Sequence, residues 1–187
     1  MVKKPNCQPN LPWSPDINAY KLDATKSKWL LRPGALTVGL RNLGNLQLTV
    51  LREFEDKLTT NEAWMVQCVP NTPIWVREII MNIDTIPCVV ARSFTPLADS
   101  FQVWQDIRGL NERPLADMLY HNKEIKRSPF WVCQLTAKQP LYQTVQFALG
   151  STAPKAGRLY ARCSTFWYKS KPLLVSECFL PQFWSFT

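Results

Sequence analysis

The chain has 187 residues, of which 46% are hydrophobic and 12% aromatic. That is enough apolar material for one substantial core and too much for a disordered chain. The formal charge of +8 is dispersed, with no basic run beyond "VKK" and "KSK" and no helix-turn-helix or zinc-finger pattern. A nucleic-acid partner is therefore not expected, and steering of a small anion is the more informative use of the charge.

Residues 1–15 are polar and proline-bearing and read as a loosely held arm, with residues 16–187 as a single domain. A short helix is expected from Asp23 to Leu31, stopped by "RPG" at Arg32 to Gly34. In "ALTVGLRNLG", Leu36, Leu40 and Leu43 share a helical face and Gly44 ends it. "NLQLTVLRE" alternates Leu46, Leu48 and Val50 as a strand, and "TTNEA" and "VPNTP" read as loop. "IWVREIIMN" and "IPCVVARSF" form a strand pair about a turn. Thr95 and Pro96 resemble the cap and first turn of a helix carrying Leu97, Phe101 and Trp104. A second short helix follows Pro114, "FWVCQLT" is a strand, and "PLYQTVQFAL" is a helix candidate before the loop "GSTAPKAG". "RLYARCSTFWY" and "KPLLVSECFL" close the chain as two long strands joined at "KSK". Strands in pairs with helices between the pairs point to an α+β fold built on a mainly antiparallel sheet.

The chemistry-bearing residues are few. The six cysteines contain no CxxC pair, and the single histidine, His121, has no cysteine at ligand spacing. A metal centre is not expected, and reduced thiols are. Neither GxGxxG nor a P-loop is present. No secretory h-region follows the N-terminal lysines, and no apolar run nears the ~18 residues of a membrane span. A cytoplasmic location without stable membrane insertion is the expectation.

Two charged residues stand on apolar strand faces. Arg77 shares a face with Trp75, Ile79 and Met81, while Glu78 lies on the other. Glu177 falls between Val175 and Phe179 in the same way. A buried ion pair satisfies such residues, with Glu78, Glu177 or a backbone carbonyl as the partner of Arg77. So does a closed pocket, in which Arg77 offers two donors to a carboxylate and Glu177 accepts from a hydroxyl at the ligand's far end.

Several segments, in order, resemble the chorismate lyase family: "LTVLRE" (Leu48 to Glu53), "WVREI" (Trp75 to Ile79), "ARSFTP" (Ala91 to Pro96), "RPLADMLY" (Arg113 to Tyr120) and "KPLLVSECFLP" (Lys171 to Pro181). The resemblance spans roughly Leu30 to Pro181. It implies an antiparallel sheet with helices packed on it and an internal ligand cavity under flaps. It implies that Arg77 binds the ring carboxylate, that the Leu115 backbone N–H assists, that Leu36 closes a flap on the same group, and that Glu177 meets the ring 4-hydroxyl. The chain departs from the family where Cys163 and Thr165 stand at commonly basic positions, and between Lys138 and Arg158, where it carries about twenty additional residues.

The activity implied is elimination of pyruvate from chorismate to give 4-hydroxybenzoate, a first step toward ubiquinone that needs no metal or redox cofactor. Arg77 and Glu177 are the catalytic candidates, and Arg92 or Arg162 is nominated for the second, enolpyruvyl carboxylate. A monomer is expected. A non-catalytic effector-binding module of the same fold is the alternative, and turnover of chorismate discriminates the two.

Overall fold

The computed structural model describes residues 11–187. Its frame is one antiparallel sheet in the order β1-β2-β3-β7-β6-β4, with β5 also pairing with β6. The strands are β1 (Leu46–Lys57), β2 (Pro73–Ile83), β3 (Ile86–Pro96), β4 (Lys126–Arg127), β5 (Trp131–Gln134), β6 (Tyr160–Tyr168) and β7 (Lys171–Phe179). This is the α+β architecture expected from the pattern of elements.

Two tight hairpins set the register. β2 and β3 turn at Asp84 and Thr85, and β6 and β7 turn at Lys169 and Ser170. All four have positive φ, the left-handed geometry a two-residue antiparallel turn requires. Register then fixes which residues share a face. Arg77, Ser93, Val175 and Ser164 form one row across β2, β3, β7 and β6. Ile79, Ala91, Glu177 and Arg162 form the next row on that face.

One β-bulge matters for the charges. The β1–β2 register shifts between Val50 and Arg52, so that Leu51 is the extra residue. Arg52 thereby lies opposite Glu78, and Glu53 opposite Arg77.

The helices are α1 (Ala24–Leu30), α2 (Leu36–Arg41), α3 (Thr60–Met65), α4 (Leu115–His121) and α5 (Pro140–Leu149). Asp23 caps α1 by accepting from the Lys26 N–H. Gly34, at φ 76°, makes the turn into α2. α1 and α2 pack on the Arg77 face through Trp29, Leu30, Leu36 and Leu40, which join Ile79, Met81, Phe179 and Phe183 in one core. α5 covers the opposite face, with Leu141, Tyr142 and Val145 against Ile80, Val90 and Cys178. The additional residues expected between Lys138 and Arg158 thus contain a packed helix.

Two readings of the sequence are corrected. "TTNEA" is not loop but the start of α3, held by a capping box in which Thr59 and Glu62 satisfy each other's backbone N–H groups. Thr95 and Pro96 do not open a helix. They end β3, where Thr95 Oγ1 donates to the Pro172 carbonyl, and only 3₁₀ turns follow at Asp99–Phe101 and Gln105–Gly109. The anticipated arm lies mostly outside the described residues, as does Cys7. Its described end is held against β5 by paired backbone hydrogen bonds between Ser14 and Val132.

Candidate active site

Arg77, Glu177, Leu36 and Leu115 all line one cavity on the α1–α2 face of the sheet. Apolar walls come from Leu48, Ile79, Met81, Ala91, Leu119 and Val175. Few polar groups in an apolar enclosure are what a specific small-molecule site requires.

Arg77 is 1% exposed. Its Nε lies 3.2 Å from Glu53 Oε1. Its Nη2 donates to the Asn111 carbonyl and, at 3.2 Å, to the Arg113 carbonyl. No protein acceptor among the described residues takes a hydrogen bond from Nη1. Burial lowers the Arg77 pKa from its ordinary value, and Glu53 opposes that shift, so the group stays cationic at neutral pH. Of the partners expected from sequence, only the backbone carbonyl is found. Glu78 points to the other face, where Arg52 Nε donates to it at 2.6 Å and Thr144 Oγ1 at 2.7 Å.

The two carbonyls held by Arg77 belong to the loop that leads into α4. Asn111 turns that loop with φ 48°, and Leu115 is the first residue of α4 after Pro114. The N–H groups of a first helical turn have no intrahelical acceptor. Arg77 thus binds the segment that presents the Leu115 N–H, and the two donors named by the resemblance are held together by this contact. Leu36 opens α2 two residues after Gly34, behind the N-cap Ala35, and is 3% exposed. It closes the cavity from above the sheet.

Glu177 projects from β7 opposite Arg162 of β6. Arg162 Nε donates to Glu177 Oε2 at 2.6 Å, and Arg162 Nη1 donates to the Trp29 and Arg32 carbonyls at 3.2 and 3.0 Å. Glu177 keeps 16% of its side chain exposed, and its Oε1 accepts no hydrogen bond from the described residues. Two strand spacings and two residues separate Arg77 from Glu177, a diagonal of about 12 Å between Cα atoms.

The nominations for a second carboxylate ligand fare differently. Arg92 is on the wrong face. Its guanidinium lies among Asp56 at 3.2 Å, Glu62 at 3.6 Å and Glu78 at 3.7 Å. The alternation of β3 puts Arg92 opposite Ser176 rather than Glu177. Arg162 does line the cavity, but Glu177 and two carbonyls engage it. Sequence reasoning passed over Arg127, Tyr120 and Phe130, which also line the cavity. Arg127 sits in a two-residue strand too short to show periodicity.

The fold resembles the effector domain of PhnF from Mycobacterium smegmatis, at 10% identity and a TM-score of 0.54 over 80% of this chain and 90% of that one. A longer PhnF chain from the same organism gives a TM-score of 0.55 at 10% identity, over 81% of this chain and 66% of that one. At sequence level the chain is 48% identical over 164 residues to a probable chorismate pyruvate-lyase of Bordetella pertussis, covering 88% of this chain and 86% of the relative. It is 39% identical over 165 residues to probable chorismate pyruvate-lyase 1 of Pseudomonas fluorescens, covering 88% and 87%. The chorismate lyase family model matches residues 9–187. With that match over every described residue and relatives at 39–48% identity, this protein belongs to the chorismate lyase family.

Proposed function

We propose that the chain eliminates pyruvate from chorismate to form 4-hydroxybenzoate, acting as a carbon–oxygen lyase with no cofactor. The observation that carries this is the pairing of Arg77 and Glu177 on one face of the sheet and in one cavity, set apart as a carboxylate and a para hydroxyl require. Arg77 Nη1 and the Leu115 N–H take the ring carboxylate, and Leu36 closes over it. Glu177 Oε1 accepts from the 4-hydroxyl.

The reaction breaks the C3–O bond and removes the hydrogen at C4, and the enolpyruvyl methylene gains a proton as pyruvate forms. Aromatisation of the ring drives the step. What the protein supplies is positioning and electrostatics. Glu177, fixed by Arg162 on one oxygen, turns the other toward the C4 substituents and so holds the ring with its C4–H aligned for loss.

A monomer acting as a single unit over residues 16–187 is part of the same proposal. Among the described residues no helix is long and apolar enough to cross a membrane; a cytoplasmic setting belongs to the proposal itself.

The test is incubation with chorismate while 4-hydroxybenzoate and pyruvate are quantified. Equimolar appearance of both is expected. Arg77→Ala should lower kcat/KM by about 100-fold or more while the far-UV circular dichroism is retained. Binding of chorismate without turnover by the unaltered chain would overturn the lyase reading.

A further inference from the structure

We propose that Arg127 is the residue that binds the second carboxylate of the substrate, the one on the enolpyruvyl group. This rests on the chorismate reading above and assigns the end of the ligand which that reading leaves without a partner.

Three guanidinium groups line the cavity: Arg77, Arg127 and Arg162. Two already meet carboxylates. Arg77 pairs with Glu53 and Arg162 with Glu177, and each also donates to backbone carbonyls. Arg127 differs. Its one hydrogen bond runs from Nη1 to the Tyr120 hydroxyl at 3.3 Å. None of the ion pairs among the described residues involves it. Residues 1–10 carry no Asp or Glu side chain that could supply one. A cationic fork facing an apolar enclosure without a counter-charge is an anion site by its chemistry.

The position suits the second carboxylate rather than the first. Arg127 pairs with Phe166 at the β4–β6 edge, so it lies four strands from Arg77 on the same face. Its guanidinium stacks 4.1 Å from the Phe130 ring centroid, and Arg162 lies 4.3 Å from the same ring. Phe130 thus holds Arg127 on the side of the cavity where Arg162 fixes Glu177. A ring bound with one carboxylate at Arg77 and its 4-hydroxyl at Glu177 directs the adjacent C3 substituent to one side wall. Arg127 is the guanidinium on the wall opposite Arg77 with donors left to give. It binds a group that the substrate has and the aromatic product lacks, so it selects the dicarboxylate without retaining the monocarboxylate.

That difference makes the assignment testable. Arg127→Ala and Arg127→Lys are compared with the unaltered chain and with Arg77→Ala. Initial rates are measured with chorismate, and binding of 4-hydroxybenzoate is measured by calorimetry. The expected result for Arg127→Ala is a rise in the KM for chorismate of roughly 10- to 100-fold, the cost of one charge-assisted bond. Its 4-hydroxybenzoate affinity should stay within about twofold, with Lys restoring part of the KM. Arg77→Ala should weaken both ligands. Equal weakening of chorismate and 4-hydroxybenzoate by Arg127→Ala overturns the assignment, because it indicates a general effect on the cavity. So does an unchanged KM. If the unaltered chain binds 4-hydroxybenzoate but leaves chorismate unchanged, the lyase reading fails instead, and the Arg127 assignment falls with it.

Discussion

Arg162 stands between Glu177 and the end of α1, donating to the carboxylate with Nε and to the Trp29 and Arg32 carbonyls with Nη1. It is 1% exposed. Replacing it with Met leaves a largely buried carboxylate without its partner, which costs about 3–5 kcal/mol. Part of that is relieved because Glu177 opens to the cavity. Arg162→Met should therefore lower the melting temperature by roughly 6–12 °C at 2–4 °C per kcal/mol, and Arg162→Met/Glu177→Gln should recover some of the loss. Glu177→Gln alone should lower kcat by about 100-fold or more, with 4-hydroxybenzoate still bound. Thermal melts and steady-state kinetics on the three variants check both expectations, and near-normal turnover by Glu177→Gln would remove it from the reaction.

Leu115 allows its backbone and side chain to be separated. Proline is tolerated at the first position of a helix, because that N–H has no intrahelical acceptor. Leu115→Pro deletes the donor and leaves α4 able to start. Leu115→Ala keeps the donor and removes the packing against its core neighbours Trp104 and Leu119. The Pro variant should bind 4-hydroxybenzoate about 10-fold more weakly or worse, as expected for a hydrogen bond to a charged group, and the Ala variant should bind it almost normally with a lower melting temperature. Equal affinities in the two would show that the N–H makes no contact with the carboxylate.

The opposite face of the sheet provides a control. Thr144 Oγ1 of α5 donates to Glu78 Oε1, and both residues are buried. Thr144→Val keeps the shape and removes the donor, at a cost of about 1–3 kcal/mol. Because Glu78 faces away from the cavity, kcat and KM should not change. Chemical denaturation with parallel kinetics checks this, and altered kinetics would show that the two faces are coupled.

Thiol reactivity should divide by burial. Desolvation raises the Cys133 pKa to about 12 and pushes Cys163 and Cys178 well above the ordinary range. At pH 8 these three remain protonated and inert in the folded protein, since the thiolate is the reactive form. Cys68, which is only half-buried, should take up iodoacetamide first among the described cysteines. Peptide mapping after brief labelling reads the order, and early modification of Cys163 or Cys178 would contradict it.

The parts of this molecule that sequence reveals are those where one strong local pattern has no competitor. Alternation placed Arg77 and Glu177 on the apolar side of their strands, and the segments flanking them carry the family resemblance. The pairing of Arg77 with Glu53 was hidden, because the bulge at Leu51 breaks the alternation that would have exposed it. α3 was missed because "TTNEA" is polar, although the Thr59–Glu62 spacing ahead of Ala63, Trp64 and Met65 is itself the capping-box pattern of a helix start. Thr95 has the chemistry of a cap, yet its hydroxyl is used across the sheet on Pro172. Arg92 looked equivalent to Arg162 until register put them on opposite faces.

The bulge at Leu51 has a bearing on how the chain tolerates deletion. A regular ladder of the same length would set Leu51 against Glu78 and Arg52 against Arg77, two like charges within the sheet. Excluding one leucine from the pairing avoids that mismatch. Removing Leu51 itself should then straighten β1 while preserving both opposite-charge pairs, at the cost of the leucine's packing beneath α5. Mid-strand deletions ordinarily scramble every contact downstream. At this position the loss of a whole residue should be milder than a charge reversal at Arg52, and a melt comparing the deletion with Arg52→Glu measures the difference.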